Sequence, residues 1–266
     1  MSTVITHKQF PNHKTYKMDL CGRPLTIDVG KVAELATASA MVSYGETTVL
    51  VAVTAAPRPR DGVDFFPLSV DFEEKLYAVG RIPGSFMRRE GQPSLPAVLA
   101  ARVIDRSIRP LFPYDFRNDV VVTCTVMSVD RDCSPEMTAM IGVSACLAYS
   151  EIPWAGPIGC MEMGYVDGQI IKNPNQEQKH ASKLDLTVAA TDGKVIMIEA
   201  GADQIPDDIM YDAILQAHEE CRKQVAFLNT IVSEIGKEKM TYDHADFDYE
   251  LFDKIVEATM DEAKAN

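Results

Sequence analysis

The chain of 266 residues carries 39 acidic against 26 basic side chains, a net charge of −13 at pH 7, and is 46% hydrophobic. That length allows one large domain or two small ones, and the composition is that of an ordinary globular protein. It excludes a chain spanning a membrane by helices, because no apolar run approaches the roughly 20 residues such a helix needs. The N-terminal segment from Met1 to Lys17 is polar and lacks an apolar signal core, so a cytoplasmic location is expected. Six cysteines (21, 124, 133, 146, 160 and 221) stand apart with no CxxC pair, and the five histidines show no metal-ligand spacing. Neither a disulfide framework nor a zinc site is therefore expected.

In chain order, strand signals come first. Residues 24–29 and 41–44 alternate or carry β-branched side chains, and 47–54 (TTVLVAVT) is a near-continuous β run. Tyr44-Gly45-Glu46 between them is a turn signal. Residues 65–72 form a further strand candidate. Between Leu76 and Arg117 the charge pattern then inverts. Seven arginines (81, 88, 89, 102, 106, 109 and 117), no lysine and three acids (Glu90, Asp105, Asp115) give a local balance of +4. Arginine without lysine suits planar, multi-donor contacts to phosphate. Ordinary solvated surface accounts for the same charges, and charge alone does not choose between the two.

Inside that island, residues 94–109 read as a helix. Ser94 is placed to cap it, Pro96 is tolerated in the first turn, and Pro110 ends it. Arg102, Arg106 and Arg109 fall at i, i+4 and i+7, hence on one face. Leu95, Leu99, Val103, Ile104 and Ile108 make the apolar side. By spacing alone the arginine stripe is the wet side of an amphipathic helix. Residues 119–129 (DVVVTCTVMSV) predict a strand apolar enough to be buried on both faces. Residues 134–150 predict a second helix, capped by Ser134 with Pro135 in first position. Its small residues Ala139, Gly142, Ala145 and Ala148 allow close packing on a sheet.

Two hairpins follow, 158–166 with 169–172 about Asp167-Gly168, and 184–190 with 195–199 about Thr191-Asp192-Gly193-Lys194. Pro206 opens a long helix reaching about Gly236, and a last helix is expected over about 246–263. From Ala200 onward there are 16 acids against 6 lysines and arginines. That end repels polyanions and leaves the arginine island as their way in. The order of elements predicts α+β layers with mixed sheets rather than alternating βα units. No GxGxxG or GxxxxGK[ST] occurs, which argues against dinucleotide and P-loop sites.

The strings YGETTVLVAVT, DFFPLSVDFEEKLYAVGRIPGSFMRREG, RVIDRSIRPLFP, SEIPWAGPIG, DGQIIKNP and MIEAGADQIP occur in this order. They resemble the first ribonuclease PH-like core of the bacterial polynucleotide phosphorylase family, over about residues 10–234. From Tyr242 onward the chain looks like the opening of that family's all-helical linker. The resemblance implies a ribonuclease PH-like core of the ribosomal-protein S5 domain 2-like β-α-β-α type over 10–236, in two parts (10–150 and 151–236). It implies a truncated helical linker over 237–266. For the parent protein it implies processive phosphate-dependent 3′-to-5′ degradation of RNA, release of nucleoside diphosphates, and the reverse polymerisation, in mRNA turnover. It further implies a homotrimeric ring threading single-stranded RNA, inorganic phosphate as co-substrate, Mg2+ held by a second core, and contact with RNA-degradation complex partners.

In that family the active core carries an aspartate pair six residues apart, a nearby lysine and a serine-rich phosphate turn. At the matching positions this chain has Asp185 with Lys179 as its would-be partner, Thr187 for the lysine, and Cys133-Ser134-Pro135-Glu136-Met137 for the turn. Proline removes a backbone donor and glutamate repels phosphate. The expectation is a degenerate core with no catalytic residue and no metal site of its own, in which Asp185 and Lys179 are structural or form a salt bridge. Phe86-Met87-Arg88-Arg89 resembles the family's Phe-Phe-Arg-Arg loop. By that match Phe86 stacks on a base while Arg88 and Arg89 take phosphates, with Met87 lacking the flat face of the second aromatic. Arg102 and Arg106 are the further RNA candidates, and Arg109 is the weaker one because Asp105 stands four residues before it. Two other readings stay open, a freestanding ribonuclease PH-like tRNA-processing transferase and a non-catalytic exosome-like ring subunit.

Overall fold

The computed structural model describes residues 3–7, 10–244 and 249–265. Its first sheet has seven strands: β1 (Thr3–His7), β2 (Phe10–Leu20), β3 (Arg23–Val29), β4 (Ala38–Tyr44), β5 (Thr47–Ala55), β6 (Leu68–Glu74) and β7 (Val120–Ser128), in the order β1-β2-β3-β4-β5-β7-β6. Only β6 and β7 run parallel. A parallel pair needs a long crossover, and that crossover carries the helix α1 (Leu95–Ile108). The helix α2 (Pro135–Tyr149) leads into the second sheet, antiparallel throughout. It comprises β8 (Gly159–Val166), β9 (Gln169–Lys172), β10 (Leu184–Ala190) and β11 (Val195–Ala202), in the order β11-β10-β8-β9, with the short helix α3 (Gln176–Ala181) between β9 and β10. Two helices finish the chain, α4 (Asp207–Ile235) and α5 (Tyr249–Ala265).

The core is organised around α2, which is buried at every position except Pro135 and Glu136. A helix apolar all round needs neighbours on all sides. Here β4 and β5 cover one side and β8 and α4 the other. Gly142 makes the first contact possible, since a Cβ there would stand 2.8 Å from methyls of both Val42 and Val51. Polar links are buried alongside. Tyr149 Oη donates to the Ser39 carbonyl at 2.7 Å and accepts from the Ser39 N–H at 2.8 Å. Ser144 Oγ donates to the Ile158 carbonyl at 2.7 Å. The mixed α+β architecture expected from the order of elements is the one observed.

Several local expectations change. The polar N-terminus forms β1 and β2. In β2, Tyr16 and Leu20 are buried while Lys17 between them is exposed, and β1 on one side and β3 on the other supply the pairing. The strand expected from Phe65 starts at Leu68, because Phe66 packs on Phe112 and Phe116 (centroids 4.6 and 5.6 Å) instead of joining the ladder. Strand β7 is not buried on both faces. Its burial alternates, and Val121 is 41% exposed on the face away from α2. Helix α3 carries a capping box, with Asn175 and Gln178 satisfying each other's backbone N–H groups. Positions 246–248 of the last expected helix lie outside the described residues. The cysteines are free, five buried and Cys21 exposed. Among the described residues, no helix is long and apolar enough to cross a membrane.

Beyond α4 the chain straps back across the core. Lys237 N–H donates to the Tyr149 carbonyl at 2.9 Å and Met240 N–H to that of Glu151 at 2.6 Å. The Lys239 ammonium donates to the carbonyls of Leu147 (3.1 Å), Ala148 (3.0 Å) and Ser150 (2.8 Å). It thus caps the C-terminus of α2, where the helix dipole favours a cation. Tyr242 and His244 both donate to Asp115, at 2.8 and 2.6 Å.

Candidate functional site

The arginine island folds into three places. The first is the loop between the 3-10 turn Leu76–Val79 and α1. Phe86 is fully exposed at 101% and Met87 is 64% exposed. Arg88 and Arg89 are exposed, and their guanidiniums have no hydrogen bond or ion pair among the described residues. Arg88 N–H donates to the Ser85 carbonyl at 2.9 Å, and Arg88 itself sits in the left-handed region at φ 47°. A tight turn thus lifts an aromatic and two guanidiniums into solvent. Such a display suits a single strand, whose bases stack on the ring while its phosphates meet the cations.

The second place is a groove of about 510 Å³ between β6 and α1, lined by Arg102, Arg106, Arg109, Asp71 and Asp105 among others. Helix α1 begins as the sequence predicts, with Ser94 Oγ accepting the Ala97 N–H at 3.1 Å. Its buried side is Ala97, Ala100, Val103, Ile104, Ser107 and Ile108, whereas Leu95 and Leu99, expected on the apolar side, are 71% and 52% exposed. The arginine stripe divides. Arg109 is committed within the fold. It donates to both Asp105 oxygens (2.9 and 2.6 Å), reaches the Phe66 and Leu68 carbonyls (3.3 and 3.2 Å), and lies over the Phe66 ring. Arg102 and Arg106 are exposed and have no side-chain partner among the described residues. Arg106 stands 12 residues along the helix from the cap, about 18 Å at 1.5 Å per residue. The loop and the groove are therefore two patches.

The third place is a cleft of about 600 Å³ on the other side of α1, closed by the start of α2 and by the second sheet. Leu99 and Val103 form one wall, and Glu136, Glu162, Lys179, Asp185 and Glu199 surround the rest. Lys179 donates to Glu162 Oε2 at 2.5 Å. The sequence pointed to Asp185 as its partner, but across the sheet Asp185 opposes Gly164 whereas Glu162 opposes Thr187. Lys179, two positions from the end of α3, reaches the glutamate, and Asp185 stays exposed. Glu136 is pushed up to about 7, first by burial, then by Glu162 and Glu199, with Lys179 opposing and Asp185 adding. At the N-terminus of α2, Pro135 has no N–H, the Met137 N–H is taken by Ser134 Oγ (3.3 Å), and the Thr138 N–H by the Ser134 carbonyl (3.1 Å). That leaves the Glu136 N–H as the donor of the first turn with no bond inside the cap. Among the described residues no three His, Cys, Asp or Glu side chains converge to hold a metal ion. Sequence reasoning had found Glu136 and Lys179; it missed Glu162 and Glu199, which no motif marks and which the sheet register alone brings into the cleft.

Comparison with known proteins adds the following. Residues 22–153 match the 3′ exoribonuclease family, domain 1, and residues 156–220 match domain 2 of the same family. The polyribonucleotide nucleotidyltransferase of Ruminiclostridium cellulolyticum is 55% identical over 251 residues, covering 94% of this chain and 36% of that protein. That of Clostridioides difficile is 54% identical over 228 residues, covering 86% and 32%. The chain spans about a third of the length of these curated relatives. A crystal structure of rice Rrp46 shares the fold, with a TM-score of 0.65 at 16% identity over 81% of this chain and 96% of that one. With both family domains matched in succession over most of its length, the chain belongs to the 3′ exoribonuclease (RNase PH) family.

Proposed function

We propose that this chain is the RNA-handling, catalytically degenerate first core of a polyribonucleotide nucleotidyltransferase. The longer protein would degrade single-stranded RNA from its 3′ end by phosphorolysis, release nucleoside diphosphates, run the reverse polymerisation, and act in mRNA turnover. The observation that carries the reading is the occupancy of the cleft. Phosphoryl transfer needs cations against the phosphates and carboxylates free to hold a divalent ion. The first requirement is unmet in the cleft: its lysine is spent on Glu162, carboxyl groups line the walls where phosphate would need cations, and the donors at the start of α2 are nearly all used. On this reading Mg2+ and inorganic phosphate act at another core of the same protein.

The part left to this chain is grip. Phe86, Arg88 and Arg89 on the loop, with Arg102 and Arg106 in the groove, are the residues assigned to RNA contact. Their free guanidiniums distinguish them from Arg109. On this reading residues 10–236 are the core, 237–266 start the helical linker, and the assembly is a cytoplasmic homotrimer that meets other RNA-degrading proteins. The experiment uses a labelled oligoadenylate with phosphate and Mg2+. This chain alone should release no nucleoside diphosphate. In the full-length protein, Arg88→Ala with Arg89→Ala should weaken RNA binding and lower the slope of log affinity against log salt by roughly 0.7 per lost phosphate contact. Robust phosphorolysis by this chain, or an unchanged slope, refutes the assignment.

A further inference from the structure

The loop that displays Phe86, Arg88 and Arg89 is closed at its base by two side-chain rungs. In the first, the Glu90 carboxylate accepts the Leu76 N–H at 3.0 Å. In the second, Ser94 Oγ donates to Glu74 at 2.7 Å. Leu76 is held from both ends of the loop at once. Its carbonyl accepts the Arg81 N–H at 2.9 Å, so the entering strand-to-loop junction and the returning segment are pinned to one residue. Between the rungs, the only hydrogen bond within 82–89 is the Ser85–Arg88 turn among the described residues. The loop has Gly84 within it and Gly91 beyond it, and its side chains from Gly84 through Gly91 are exposed. Nothing in the apolar core holds it, so its shape depends on the closure at its neck.

Glu90 is an odd residue for a surface that meets RNA, because an acid one position from Arg89 repels phosphate. Its hydrogen bond resolves the conflict. The carboxylate faces back toward the turn at Leu76–Val79 and is engaged there, while the adjacent guanidiniums face solvent. We propose that Glu90 is a positioning residue that closes the neck of this loop and so presents Arg88 and Arg89 to single-stranded RNA. The proposal rests on the assignment of the loop to RNA. A loop whose closure is lost samples more conformations, and ordering it again on binding subtracts from affinity.

Two substitutions separate positioning from charge. Glu90→Gln removes the negative charge and keeps a carbonyl oxygen able to accept from Leu76. Glu90→Ala removes both. Coulomb repulsion alone makes both variants bind RNA tighter than the parent. Positioning makes Glu90→Ala bind a fluorescent single-stranded oligoadenylate about fivefold more weakly than Glu90→Gln, a difference of ~1 kcal/mol. Binding is measured on the full-length protein, with amide hydrogen exchange of Leu76 and of 82–89 as the second readout. Exchange should speed up in Glu90→Ala and stay near the parent rate in Glu90→Gln. Equal affinities for the two variants, with the Arg88→Ala/Arg89→Ala double variant clearly weakened, overturn the positioning role and leave the RNA assignment standing. Unchanged binding by the arginine double variant overturns the RNA assignment and the positioning role with it.

Discussion

Replacing Glu136 by Gln should stabilise the protein in alkaline buffer and leave it nearly unchanged in acid. The carboxyl sits in the first turn of α2, where the helix dipole favours a negative charge by about 0.3–1 kcal/mol. Burial and the neighbouring Glu162 and Glu199 outweigh that and push it up to about 7 from an ordinary 4.5. A group raised in the folded state takes up its proton more readily there than in the unfolded chain. Its penalty is therefore absent below about pH 4.5, grows through the interval to about 7, and is complete above it. At 1.36 kcal/mol per pH unit the interval corresponds to ~3 kcal/mol. The cleft is open to water, which reduces this to about 1–2 kcal/mol. For a domain of this size that is a gain of roughly 3–6 °C in melting temperature. Thermal unfolding of parent and Glu136→Gln at pH 5 and pH 8.5 reads it directly. The variant should melt higher at pH 8.5 and close to the parent at pH 5. The same pH dependence in both proteins refutes the crowding of carboxylates in the cleft, and with it the physical ground for calling the cleft hostile to phosphate.

Gly142→Ala should destabilise despite raising helix propensity. The propensity gain is about 1 kcal/mol, but the new methyl would stand 2.8 Å from methyls of Val42 and Val51 in two packed strands. Overpacking costs about 1–3 kcal/mol, so chemical denaturation should show a net loss, and a net gain refutes the close approach of α2 to β4 and β5. Lys239→Met keeps the apolar stem and removes the ammonium, whose pKa burial already lowers. The carbonyls of Leu147, Ala148 and Ser150 lose a shared charged donor, for about 2 kcal/mol. Hydrogen exchange in 237–244 should accelerate as the strap loosens; an unchanged stability and exchange rate refutes the cap.

Local chemistry made much of this protein legible in its sequence. Ser94 and Pro96 set the start of α1, Ser134 and Pro135 that of α2, and Asp167-Gly168 made a tight hairpin because both residues adopt positive φ, 49° and 80°. These signals act within a few residues, so no fold is needed to read them. The Phe86-to-Arg89 loop was likewise visible, as an aromatic beside two arginines in an acidic chain. The partners of charged groups were decided elsewhere. Asp105 four residues before it already marked Arg109 apart from Arg102 and Arg106, and that pair forms, but the further hold of β6 and Phe66 on Arg109 was not legible in the sequence. Lys179 faces Glu162 rather than Asp185 because sheet register, set by two hairpins and α3, chooses which carboxylate it meets. Electrostatic and hydrogen-bond pairing depends on distances between segments far apart in the chain, and only the packed tertiary structure sets those distances.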